Sequence, residues 1–156
     1  MSAQGMTPDQ VNDFMALEPH IVALVKAAVK GQAPAVHVLT AADLADVKES
    51  AQHTPAVHVI YGGYVVAEAA GTSWRLDHKW YVVAAVRNVG TQKSGAAARK
   101  GAGALGALVT ARLAGEKLPG ASGPLQLTTP PPARYAAGFQ YIPSAFLVGT
   151  VFKKQP

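Results

Sequence analysis

Five histidines are the side chains of this 156-residue chain best suited to hold a metal ion. The string Pro-Ala-Val-His-Val occurs twice, at Pro34 to Val38 and at Pro55 to Val59, and His78 lies in the next strand-like stretch. If the two copies were neighbouring strands in register, His37 and His58 could face each other, and His78 or Asp77 could complete a zinc site. The competing reading is that histidines at alternating strand positions occupy half-exposed faces without a ligand. Cysteine is absent, so disulfides and thiolate metal sites are excluded.

Gly101-Ala-Gly103-Ala-Leu-Gly106 matches the dinucleotide-binding fingerprint letter for letter. That fingerprint works only as the tight turn between a strand and the helix it opens, with an acidic residue further on to hold a ribose. Here it sits inside a helical stretch, well separated from the preceding strand, and no acid follows at the needed distance, so we reject it. Ser73, Ser94, Ser122 and Ser144 lie in no nucleophile-elbow context. Glu68 and Asp77 are the only acids of the strand-rich region, and Arg75, His78 and Lys79 around Asp77 read as a solvated turn cluster. No pattern argues for an enzyme, and no cofactor is expected.

The elements that would position these residues are legible from periodicity. Pro55 to Asn88 is the centre: β-branched and aromatic residues flank Gly62-Gly63, a polar link Gly-Thr-Ser follows, and then an apolar run, Trp80 to Val86. Paired glycines allow a strand to bend or turn, and a strand apolar on both alternating faces belongs mid-sheet, covered on both sides. Before it, Thr7-Pro8-Asp9-Gln10 has capping-box form ahead of a short helix through Val11, Phe14 and Met15. Leu17, Ile21, Leu24, Val25 and Ala28 then predict an amphipathic helix over 19–30, stopped by Gly31. Ala35 to Leu39 reads as a strand, and Thr40 caps a brief helix carrying Asp43, Asp46 and Glu49.

After the central strands, Thr91 to Ser94 is a polar turn and 94–114 a second long helix, ended by Gly115. Gly103, Gly106 and Thr110 give it a smooth face that lets its own sheet or another subunit approach. Residues 118–137 form a proline-rich arm with a short strand near Leu125 to Thr128; loops this long are usually functional or ordered by a partner. Two strand-like runs close the chain, Phe139 to Pro143 and Ala145 to Phe152, with Lys153-Lys154 as a basic tail. The expected class is α+β, a single domain over 1–156 with a mostly antiparallel (mixed) sheet flanked by two principal helices. Residues 1–16 form an extension to it.

Composition bounds the rest. Apolar residues make up 49% and charged residues only 15%, which leaves little polar cover and hints that some surface meets partners. The net charge of +5 is uneven: six of nine acids precede Ser50, and eight of fourteen bases lie between Arg75 and Lys117. The bases are scattered rather than clustered among aromatics, which disfavours direct nucleic-acid recognition. The first ten residues have neither the basic nor the apolar region of a signal peptide, and no apolar run reaches the length of a membrane span.

One arrangement resembles a known family. The amphipathic helix, PAVHVIYGGY, the WxLxHxWYVVxAV-like strand, the helix GAAARKGAGALGALVTARLAG, a proline-rich loop and a GFxYxPxAF-like end follow in order from about His20 to Phe152. In that order they resemble the tail terminator proteins of long-tailed bacteriophages, of the Mu-like and siphophage type. The resemblance implies a small structural virion protein, assembled in the host cytoplasm. It implies a homo-oligomeric ring, a hexamer, at the head-proximal end of the tail. That ring would stop tube polymerisation and dock the head connector, with the genome passing through its lumen. Partners would be further copies of the chain, the major tail tube protein and the connector, with no catalytic residue and no membrane. Interface candidates are Arg134, Tyr135, Phe139 and Tyr141, an Arg-aromatic set of hot-spot composition, then Lys153 and Lys154. The rival reading puts the aromatics in the domain's own core and the charges in solvent. Two other functions stay open at this point: a neck or head-completion protein, and a small metal-binding enzyme using His37, His58 and His78.

Overall fold

A computed structural model describes residues 12–45, 47–87 and 96–155 of the chain. The proposed cap at 7–10, Asp46 and the polar turn at 91–94 lie outside these residues. Turns through Phe14 and Met15 lead into α1, Glu18–Val29, with Pro19 in its first turn where a missing N–H removes no helical bond. Leu17, Ile21, Val25 and Val29 form its buried stripe, and Gly31 follows at φ 84°. Next come β1, His37–Thr40, and α2, Ala41–Leu44, where the Asp43 carboxylate accepts from the Thr40 N–H at 2.8 Å. The brief helix expected after Thr40 is only this one turn, followed by a 3-10 turn at Glu49–Ala51.

β2, Ala56–Ala70, and β3, Ser73–Arg87, form one long hairpin that turns at Gly71, φ 64°, rather than at the paired glycines. Gly62-Gly63 instead makes a bulge, across which the register steps from Tyr61 opposite Trp80 to Tyr64 opposite His78. Gly62 is required there: a Cβ would lie 2.5 Å from the Tyr81 ring. α3, Ala96–Leu113, follows, then β4, Gln126–Thr128, β5, Arg134–Ala136, and β6, Phe139–Lys153. The two closing runs are thus a single strand through Pro143. The Gly149 carbonyl points away from β3 to the Ser122 N–H, 2.9 Å. Strand alternation puts the Pro143 nitrogen on that same outer side, in the gap between β5 and β4, so no ladder bond is lost.

The sheet order is β1-β2-β3-β6-β4, with β5 also on β6; β1 and β2 are parallel and the other pairs antiparallel. The fold is α+β, with α1 and α3 as its two principal helices. Both helices share one face of the sheet. There Ile21, Val25, Val109 and Leu113 close over Val57, Val59, Trp80, Val82, Phe146 and Val148. The fingerprint glycines lie within α3. Gly106 rests on Ala84 and Ile142, and the Thr110 and Ser144 hydroxyls bond at 2.7 Å, so these two positions of the smooth face serve the chain's own sheet, whereas a Cβ on Gly103 would meet nothing within 4 Å among the described residues. The opposite face is covered less fully than the composition of β3 suggests. Ala85, Phe139 and Tyr141 are buried there, whereas Tyr81 and Val83 are half-exposed.

Candidate interaction surface

The proline-rich segment does not extend as a free arm. Leu118, Ala121 and Leu125 are buried in the main core, and β4 and β5 lie along β6, so 118–137 folds back over the sheet. Pro130, Pro131 and Pro132 remain exposed between those two anchors. The apolar residues among the prolines provide the reason: their burial outweighs the extended stiffness of the Pro-Pro-Pro run.

On this face Tyr141 is a junction. Its hydroxyl donates to Glu49 Oε2 at 2.7 Å and accepts from Gln52 Nε2 at 2.6 Å. Burial, reinforced by the Glu49 carboxylate, pushes its phenol up to about 12. The Arg134 guanidinium stacks 4.6 Å over the Tyr141 ring and lies 3.8 Å from Glu49. Phe139 is 1% exposed, beneath the Arg87 guanidinium at 5.7 Å. Phe139 and Tyr141 therefore belong to the chain's own packing and present little surface to a partner. Arg134 covers Tyr141, and Tyr135, 44% exposed, is the aromatic of this set that stands in solvent. Beside them is a cleft of about 440 Å³ bounded by Pro131, Pro132, Arg134, Tyr141 and His58. Lys153 and Lys154 are exposed at the far end of β6, where the Lys154 N–H closes on the Thr72 carbonyl at 2.9 Å.

The histidines do not converge. The two PAVHV strands are neighbours, but their register sets Leu39, not His37, beside His58. His37 stacks on His53 instead, with ring centroids 5.1 Å apart. His58 and His78 lie on opposite faces of the sheet, because His58 sits opposite Val83, and Val83 and His78 are of opposite parity along β3. Among the described residues no group of three His, Cys, Asp or Glu side chains is placed to hold a metal ion. His78 is bonded on both ring nitrogens, to the Tyr61 hydroxyl at 2.7 Å and Thr150 Oγ1 at 2.8 Å. His58 Nε2 is buried without a partner among the described residues.

Burial lowers the pKa of both His58 and His78 below the ordinary histidine value. Each takes up a proton less readily in the fold than in the unfolded chain, so the stability that their neutral forms contribute is full above about pH 6.5 and is lost as pH falls below it. Asp43, held low by its Thr40 hydrogen bonds, adds loss of the same sign only below its ordinary value of 3.8. Denaturant melts between about pH 8 and about pH 5 should therefore show falling stability in the native chain, and a shallower fall in His58→Leu. Equal slopes in the two proteins would show that His58 does not carry the effect.

The residues that sequence reasoning missed are on the distal half of β2. Tyr64, Val65 and Val66 are 44%, 63% and 58% exposed, an apolar strip on an outer strand. The signal was present in their succession: Val65 and Val66 face opposite sides of the sheet, and two helices on one side cannot cover both. Phe14 covers only part of it, 4.8 Å from Tyr64 and 5.6 Å from Phe152. The arrangement as a whole offers surfaces for binding other proteins. No described helix is long and apolar enough to cross a membrane.

A search of curated proteins finds no match. The family model described as phage tail terminator protein matches residues 12–156, which takes in every helix and strand described above. Members of that family are structural components of bacteriophage tails that associate with other tail components. By that match, the chain belongs to the phage tail terminator protein family.

Proposed function

We propose that this protein assembles into a ring on the head-proximal end of the tail tube, stops tube polymerisation and presents the surface on which the head connector docks. Further copies of the chain, the tube protein and the connector are its partners, and DNA is only a transient passenger through the ring. The protein acts in the virion by binding alone, without cofactor or catalysis. The family match along 12–156 carries this reading. It is supported by surface that the packing of the described residues leaves uncovered: Tyr135 beside Arg134, the Lys153-Lys154 end of β6 and the apolar strip on β2. Arg134 and Tyr135 have the composition of interface anchors, with Phe139 and Tyr141 as the rigid platform beneath them.

Electron microscopy of lysates from phage carrying a nonsense codon in this gene tests the proposal. Overlong, irregular tails beside separate DNA-filled heads are the expected result. Tails of normal length that fail to join heads would move the protein to the neck, and intact particles would remove it from assembly altogether.

A further inference from the structure

Beyond Val59, where β1 ends, no described strand lies along the outer side of β2. On the other flank, β5 covers β6 at Phe139 to Tyr141, β4 covers Ala145 to Leu147, and Ser122 takes up the Gly149 carbonyl. From Thr150 to Lys153 the outer side of β6 is again without a strand among the described residues. Among the described residues the distal sheet is therefore a three-stranded strip, β2-β3-β6, with an open ladder on each flank. Open ladders of unpaired N–H and C=O groups are templates for another chain, and folded proteins ordinarily blunt them with charge or proline. The run Tyr64 to Ala70 has no proline and one charged residue, Glu68, and it exposes Tyr64, Val65 and Val66.

From these two edges we infer that neighbouring copies of the chain join by strand addition. The β6 end of one copy pairs in parallel with the distal β2 of the next, so the ring proposed above is stitched by a continuous sheet. The inference rests on that proposed ring and specifies how its copies meet. Strand direction supports it. β2 and β6 both run antiparallel to β3, hence parallel to each other, so a rotated copy brings its β6 edge to β2 with every direction preserved. Each copy then donates one edge and accepts with the other, the head-to-tail interface that closes into a ring. A two-fold pairing of β2 with β2 would close a dimer and leave β6 open.

Charge supports the same choice. Glu68 sits opposite Arg75, and Lys153 opposite Ser73, so both project from the same face of the strip. The Arg75 guanidinium lies 3.9 Å from Asp77, and no ion pair to Glu68 forms among the described residues. Head-to-tail pairing brings Lys153 and Lys154 of one copy toward Glu68 of the next. Pairing of β2 with β2 offers Glu68 no opposite charge. Val65 and Val151 project from that same face, and both are exposed.

The absence of native cysteine makes the test direct. Val65→Cys and Val151→Cys, combined in one chain, are treated with a short bifunctional thiol reagent, both in purified protein and in tails from phage carrying the variant. The expected result in tails is a denaturing-gel ladder that ends in one closed species, with monomer only from each single-cysteine chain. A dimer from Val65→Cys alone would overturn the proposal in favour of two-fold pairing. Tails of normal length that join heads yet give no ladder would overturn it while leaving the capping role intact. Loss of the capping role itself would instead be seen in the nonsense-codon phage. A second measurement avoids cysteine: Glu68→Lys and Lys153→Glu should each lower ring yield several-fold, and the double exchange should restore it. Unchanged yield in both single variants would also overturn the pairing.

Discussion

Trp80→Ala is expected to lower the free energy of unfolding by about 3–5 kcal/mol, the cost of emptying a large aromatic site in a packed core. Trp80 is fully buried at the middle of β3, between Tyr61 of β2 and Phe146 of β6, its ring 4.8 Å from that of Tyr61. Its neighbours are held by ladders on both sides and by α1 and α3 above, so the void has little freedom to collapse. One effect acts in the other direction. Trp80 Nε1 has no hydrogen-bond partner among the described residues, so truncation also removes a buried, unpaired N–H. That relief is smaller than the lost packing, and it separates the variants: Trp80→Phe, which drops the N–H but keeps a ring, should cost clearly less than Trp80→Ala. In a domain of this size the alanine variant should melt roughly 10 °C or more below the native chain. A loss under about 1 kcal/mol by chemical denaturation would show that β3 is not the structural centre.

The centrality of Trp80 could be read in advance because an apolar run has one physical solution, burial in mid-sheet. The same holds for the stripe Leu17, Ile21, Leu24, Val25 and Ala28, which is buried or packed partly buried against the core, and for Gly106, whose neighbours in sequence forbade a nucleotide turn. What could not be read were choices made by distant residues. Whether Gly62-Gly63 would bend or reverse the chain depended on Tyr81, whose ring fills the place of the missing Cβ, nineteen positions away. Whether His37 would meet His58 depended on a two-residue offset between strands, and identical PAVHV strings carry no information about register. Local composition around Pro130 to Pro132 favoured an extended arm, but Leu118, Ala121 and Leu125 found sites in a core formed mostly by other elements. The interaction surface was legible in kind and not in detail. Arg and aromatics near Arg134 pointed to recognition, yet only tertiary packing separates the exposed Tyr135 from the buried Phe139 and Tyr141.

That separation gives the second large effect. Phe139→Ala should cost about 3–5 kcal/mol, because Phe139 is the buried anchor of the smaller cluster with Ala85 and Tyr141 and has the Arg87 guanidinium over its ring. Tyr135→Ala should change stability by no more than about 0.5 kcal/mol, since its side chain stands in solvent on a short edge strand. Assembly should respond in the reverse sense. Tyr135→Ala, fully folded, should weaken tube capping in complementation of the nonsense-codon phage, because an exposed aromatic beside an arginine loses surface that only a partner can cover. Arg134→Glu is a less selective probe. It takes the cation from the Tyr141 ring and sets a second carboxylate near Glu49, so it disturbs the fold as well as the surface. Added to Tyr135→Ala it should abolish capping. A double variant that still caps tubes would remove this surface from the interface and leave the distal β2 and β6 edges to carry assembly.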